Sequence, residues 1–183
     1  PDPFILYLGL LVFFAAICEG GMFDWSGVYF KDVVNEPVFT YGYLLFIATM
    51  AFSRFYSDRL IEFLGMPKTY ALSSLVIAIG ILTAVTFPTF YPALFGFCLV
   101  GFGTAAIFPM TFMLAGTSKK YSPGMAISII STYATLGMLI GPPLVGYVAQ
   151  AFGLKNAFYI FVVAGLLFIP VSQLFFQYQK KQA

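Results

Sequence analysis

Histidine is absent from this 183-residue chain. That absence removes imidazole proton relays, histidine metal sites and Ser–His nucleophilic catalysis together. Two cysteines are present, Cys18 and Cys98. Both lie in apolar runs and read as small buried hydrophobes; neither a disulfide framework nor a metal site can be argued from them. Charge is scarce: Asp, Glu, Lys and Arg make up 9% of the residues, against about 25% in a soluble domain. The net charge is only +2. The basic residues fall in short loops between apolar runs, so no nucleic-acid partner is indicated. There is no Asp-rich prenyl-diphosphate motif and no lysine deep in an apolar run to form a Schiff base. An intramembrane enzyme therefore lacks its constellation, and no cofactor is implied.

What the chain has in excess is hydrocarbon. It is 61% hydrophobic and 20% aromatic, with a mean hydropathy of +0.93. Apolar runs near 20 residues recur along its length, each long enough to cross a ~30 Å hydrocarbon core. They do not alternate in polarity as barrel strands do. The fold class is an all-α membrane protein with six transmembrane helices, at about 4–33, 40–61, 69–87, 92–117, 125–152 and 157–178. A polar turn is expected from Asp58 to Lys68. The first run is too long for a cleavable signal and has no basic leader. The chain begins at Pro1 rather than Met, so the expectation is a piece of a longer protein.

Six spans place both termini on one side. The loops of that side are assigned Arg54, Arg59, Lys68, Lys119, Lys120, Lys180 and Lys181; the opposite loops hold Lys31 and Lys155. Seven basic residues against two, all near span ends, put both termini in the cytoplasm.

The first span carries the unusual residues. Glu19 and Asp24 flank Gly20 and Gly21 in an otherwise lipid-compatible run. A carboxylate deep in hydrocarbon costs about 2.5–3.5 kcal/mol on insertion scales, so it faces a bundle interior or a watery cavity. Loosened helices near the midplane are where secondary transporters place substrate and ion sites. At 100° per residue, Glu19, Phe23, Ser26 and Phe30 share one face while Asp24 lies about 140° away, so the two acids do not form a simple pair. At ~1.5 Å per residue Glu19 is roughly 22 Å from the cytoplasmic end and Asp24 roughly 30 Å. No base lies near Glu19 in the sequence. Asp24 stands beside Trp25 and Tyr29, with Lys31 a turn or two on, as an interfacial acid would. Glu19 is the leading candidate for proton coupling, with Asp24 and Trp25 as further candidates for the substrate path. On the fifth span, Ser128, Ser131, Thr132 and Thr135 are expected to bond their own backbone.

The chain also echoes itself. Leu64-Gly65-Met66-Pro67-Lys68 and Phe152-Gly153-Leu154-Lys155 each run apolar, Gly, apolar, then Lys. Three spans separate them, so they face opposite sides. That is the pattern of two three-helix units in inverted topology.

Asp58-Arg59, Gly65 and Lys68 resemble the loop motif of the major facilitator superfamily, with Arg54 standing where that motif begins with Gly. This copy is similar to the one between the eighth and ninth helices of that family. Gly137-x-x-x-Gly141-Pro142-Pro143-x-x-Gly146 resembles its eleventh helix. Here small residues allow close helix approach and Pro142 bends the helix, giving packing and hinge positions rather than ligand contacts. The fourth span, with Gly96, Gly101, Gly103 and Pro109, is similar to the tenth helix. Glu19-Gly20-Gly21-Met22-Phe23-Asp24-Trp25-Ser26 is similar to the seventh helix of a bacterial branch.

The resemblance covers essentially the whole chain as the C-terminal six-helix half of a twelve-helix fold. It implies a secondary transporter of a small solute in a bacterial inner membrane, working by alternating access. The partners implied are an N-terminal six-helix half, the lipid bilayer, the solute and protons. The competing reading is a six-helix homo-oligomeric channel or structural protein. A pore favours polar rings along a helix face, which this sequence lacks, and counterflow in proteoliposomes separates carrier from channel.

Overall fold

The computed structural model describes residues 2–182. Helix α1, Pro3–Asp32, starts at Asp2, whose carboxylate accepts the Phe4 N–H at 3.4 Å, with Pro3 in the first turn. Both residues suit a helix start: a side-chain acceptor caps a free N–H, and proline has none to lose. Helix α2 is Thr40–Leu64 and α3 is Met66–Thr86. The fourth span is two helices, α4 (Phe90–Ala105) and α5 (Ile107–Ala115). Helix α6, Pro123–Phe152, is capped by Ser122 and runs through Pro142 and Pro143 without a break. The sixth span comprises α7 (Leu154–Ala157), α8 (Tyr159–Leu166) and α9 (Phe168–Gln182).

Five of these spans are long and apolar enough to cross a membrane. The remaining one, α2, has the length, 25 residues, but carries Arg54, Asp58, Arg59 and Glu62 in its second half. The expected polar turn from Asp58 is helix in the structure. The chain does not turn until Gly65, where φ is +79° and ψ 155°, a region open essentially only to glycine. The fourth and sixth spans deviate locally from regular helix, at Ala106 and at Phe158 and Leu167, residues that keep right-handed helical φ and ψ. The deviations at Ala106 and Leu167 fall three positions before Pro109 and Pro170, where a proline ring crowds the preceding turn and supplies no N–H.

The helices pair in a pattern that reads the same when the two halves of the chain are exchanged. The first span packs along the fifth, and the fourth along the second; the third packs on the fourth, and the sixth on the first. The third and sixth meet each other. Gly153, at φ +84° and ψ 153°, repeats the conformation of Gly65. The two glycines stand 88 positions apart (153 − 65). The fold is therefore two inverted three-helix repeats.

The same shift relates two close helix approaches. A Cβ on Gly101 would meet Thr49 Oγ1, and a Cβ on Gly137 would meet the Phe13 carbonyl oxygen. Moving 88 positions carries Thr49 onto Gly137 and Phe13 onto Gly101.

Buried hydrogen bonds converge on α3, one within the first unit and two between the units. Tyr29 Oη donates to the Ala84 carbonyl at 2.8 Å, Ser74 Oγ to that of Gly165 at 2.7 Å, and Tyr70 Oη lies 2.7 Å from Thr111 Oγ1. Tyr29 is fully buried against Phe97 and Phe158 rather than standing in an interfacial belt.

Candidate functional site

Glu19 sits in the middle of α1, and the structure brings it a partner that the sequence separates widely. Arg54 Nη2 lies 3.6 Å from Glu19 Oε1. The two helices are antiparallel neighbours joined by a short loop. Thirteen positions separate Glu19 from Asp32, and fourteen separate Thr40 from Arg54. At ~1.5 Å per residue both charges stand about 20 Å from the same end of the bundle.

Arg54 thus lies inside α2, ten positions before Leu64, and not in a loop. Its removal leaves six basic residues against two in the loop comparison, so the charge asymmetry survives. It occupies the position where the loop motif begins with Gly, and its side chain reaches back toward the acid.

The pair is loose and lopsided. At 3.6 Å it exceeds the ~2.7–2.9 Å of a charge-assisted hydrogen bond. Glu19's side chain is 8% exposed and Arg54's 49%. Arg54 Nη2 also lies 3.9 Å from Met50 Sδ. Glu19 Oε2 is buried and, among the described residues, makes no hydrogen bond; the same holds for Ser26 Oγ two turns along the same face. Between them Phe23 packs on Phe46 and Tyr43, at ring separations of 5.7 and 6.3 Å. Phe23 stands one turn from Glu19 on the same face, and Arg54 is the cation beside the acid.

Asp24 takes a different surface. It is exposed and borders an open cleft of about 350 Å³ shared with Trp25, Val28, Pro142, Pro143 and Gly146. Glu19 looks to α2 and Asp24 to α6, so the structure does not bring the two acids together. Trp25 Nε1 donates to the Pro142 carbonyl at 3.0 Å, and a Cβ on Gly146 would come within 3.2 Å of the indole. Trp25 is thereby a brace between α1 and α6. Gly137 and Gly141 face the α1 backbone at Phe13 and Ile17, while Pro143 is exposed and Pro142 half-buried. Asp58, Arg59 and Lys68 are exposed around the Gly65 turn. Ser131, Thr132 and Thr135 donate to the backbone of their own helix, as membrane-helix hydroxyls commonly do.

An apolar bundle of inverted three-helix repeats, with an ion pair held at mid-span, has the architecture of one half of a membrane carrier. Residues 13–183 match the model of the Major Facilitator Superfamily, and the chain belongs to that family of membrane transporters. It is 33% identical over 160 residues to an uncharacterized MFS-type transporter of Yersinia pestis, an alignment covering 86% of this chain and 42% of that protein. It is 29% identical over 180 residues to the membrane protein MosC of Rhizobium meliloti, covering 97% and 44%. An uncharacterized transporter of Sinorhizobium fredii is 32% identical over 162 residues, covering 87% and 43%. The chain spans less than half the length of these curated relatives.

Proposed function

We propose that this chain is the C-terminal half of a proton-coupled secondary transporter that carries a small solute across a bacterial inner membrane, both termini lying in the cytoplasm. The observation that carries this reading is the Glu19–Arg54 pair at mid-span. An intramembrane acid is costly, and a transporter has a use for it. Glu19 alternates between a carboxylate held by Arg54 and a neutral acid. The exchange occurs as water reaches it first from one side and then from the other. The aromatic cluster of Phe23, Phe46 and Tyr43 limits proton leakage when the solute is absent. Alternating access arises from this half and an N-terminal half rocking about the site between them. Asp24 and the cleft beside it serve solute entry, the Asp58–Arg59 turn docks on the other half, and Gly137 to Gly146 is the packing seam on which the first span moves.

The test uses full-length protein in proteoliposomes with a trapped pH dye, screened for solutes that move protons. Glu19→Gln abolishes solute-driven proton flux and uphill uptake while leaving solute exchange measurable. Uphill uptake by Glu19→Gln removes Glu19 from the coupling role. Uptake by the 183-residue chain alone overturns the half-transporter reading in favour of a homo-oligomeric channel.

A further inference from the structure

Arg54 has more hydrogen-bonding capacity than this chain uses. A guanidinium carries five N–H donors. Its Nη2 is directed at Glu19 Oε1 and Met50 Sδ, at 3.6 and 3.9 Å, and Glu19 is the one carboxylate among the described residues within 4.0 Å of it. Asp58, the next acid along α2, is exposed one turn toward Leu64. Nearly half of the Arg54 side chain stays open, at 49%, at a depth where a charge requires a water-filled cavity rather than lipid. Glu19 is its opposite: 8% exposed, with Oε2 wholly enclosed. A solute arriving at the open side meets the cation, and the carboxylate stands behind it. A cationic solute would find repulsion first and would not reach the enclosed Oε2 of Glu19.

We infer that Arg54 is the solute-binding cation of this half and that the carried solute bears an oxyanion, a carboxylate or a phosphate. Either group matches the planar fork of a guanidinium. The solute oxyanion takes the outward donors of Arg54 and competes with Glu19 Oε1 for the inward one. Solute binding thereby loosens Glu19 from its partner, which joins the solute site to the coupling acid through one side chain. This inference rests on the transporter reading above.

The experiment is thermal unfolding of detergent-solubilised full-length protein with millimolar probes. The carboxylates are succinate, pyruvate and gluconate; the phosphates are glycerol phosphate and glucose 6-phosphate. Their neutral counterparts are succinamide, pyruvamide, glycerol and glucose, and the cations are choline and putrescine. At least one oxyanion raises the Tm by about 3 °C or more, while its neutral counterpart does not. The shift is lost in Arg54→Gln, partly kept in Arg54→Lys and enlarged in Glu19→Gln, where the internal competitor is gone. The double variant Glu19→Gln with Arg54→Gln leaves no unpaired buried charge, so it reports on binding if Arg54→Gln alone folds poorly. Whether carboxylates or phosphates give the shift decides between the two chemistries.

A larger shift from a neutral or cationic probe, a shift that survives loss of Arg54, or silence from every oxyanion overturns the inference. A neutral solute that stabilises the protein and drives proton flux sinks the oxyanion while the transporter stands. An oxyanion that stabilises wild type but not Arg54→Gln, yet is never carried into proteoliposomes, sinks the transporter reading while the site stands.

Discussion

Gly137→Ala tests the seam between α1 and α6 most directly. A Cβ built on Gly137 lands on the Phe13 carbonyl oxygen and 2.8 Å from the Ala16 Cβ. Ordinary contact between such atoms begins near 3.5 Å. The two helices must therefore separate by roughly 1 Å at their closest point to admit one methyl group. Neither obstacle is the free end of a long side chain: one is backbone and the other is a Cβ. Overpacking of this kind costs about 1–3 kcal/mol. Alanine also favours the helix over glycine by up to about 1 kcal/mol, which offsets part of the loss and obscures it in a single comparison.

Gly124→Ala removes that ambiguity. Gly124 lies in the first turn of the same helix, and a Cβ there meets nothing within 4 Å. Both substitutions gain helix propensity, and only Gly137→Ala meets a wall. The difference between the two variants is then the steric term, about 1–3 kcal/mol, or several degrees of Tm at ~2–4 °C per kcal/mol for a domain of 150–250 residues. The assay is thermal unfolding of full-length protein in one detergent, followed by retention of a monodisperse species. Gly137→Ala is expected to unfold several degrees below Gly124→Ala, and Gly137→Leu to fail to accumulate folded. Equal stability of the two alanine variants refutes the close approach, and with it the argument that Gly137 and Gly141 exist for packing.

Arg54→Gln is expected to destabilise full-length protein more than the double variant with Glu19→Gln, because the single change strands a buried carboxylate while the double removes both charges; the paired Tm values in the absence of solute check this. Trp25→Phe loses the 3.0 Å bond to the Pro142 carbonyl at about 1 kcal/mol. It lowers stability while leaving proton-driven flux intact, and Asp24→Asn is milder than Glu19→Gln in the same flux assay. Gly65→Ala and Gly153→Ala each force a side chain into a region that disfavours it, at about 1–3 kcal/mol apiece, so their unfolding shifts are expected to match; a twofold disparity contradicts the equivalence of the two turns.

The fold was legible because membrane helices are written in composition. Long apolar runs, the Gly65 and Gly153 turns and the small residues of the fifth span all act locally, and local signals survive in a linear reading. Arg54 illustrates the opposite case. Its partner lies 35 positions away (54 − 19), and which faces of α1 and α2 meet is decided by packing of the whole bundle. The signal was nonetheless present. An arginine stood where the loop motif starts with glycine, and it lay ten positions inside the helix end at Leu64, about 15 Å into the span. Counting it with the loop charges hid it. Tyr29 escaped for a related reason: tyrosine near a span end fits an interfacial belt, but its hydroxyl finds the Ala84 carbonyl at 2.8 Å inside the bundle, which meets the same need for a polar partner. The local deviations at Ala106 and Leu167 followed from Pro109 and Pro170, yet Pro142 and Pro143 sit in an unbroken α6, so proline alone does not say whether a helix will deviate.

The two repeats agree where packing is at stake and differ where chemistry is. The shift of 88 positions that superimposes the glycine turns also relates two close helix approaches, although the glycine stands on opposite partners, Gly101 on the fourth span and Gly137 on the fifth. What that place requires is a missing side chain on one of the two helices, and either helix can supply it. The same shift carries Glu19 onto Ile107 and Arg54 onto Pro142. Ile107 is wholly buried and follows the deviation at Ala106, and the Pro142 carbonyl is occupied by Trp25. The unit without the ion pair instead carries Pro109, Pro142, Pro143 and Pro170 in its helices. Carrying charge at mid-span requires a rigid surround to hold the two groups together, since an isolated carboxylate there is costly. Interrupted ladders are where helices kink. The charged pair stands in one repeat and the prolines inside helices in the other, so the two units diverge in the residues that bear charge and in those that interrupt a helix ladder.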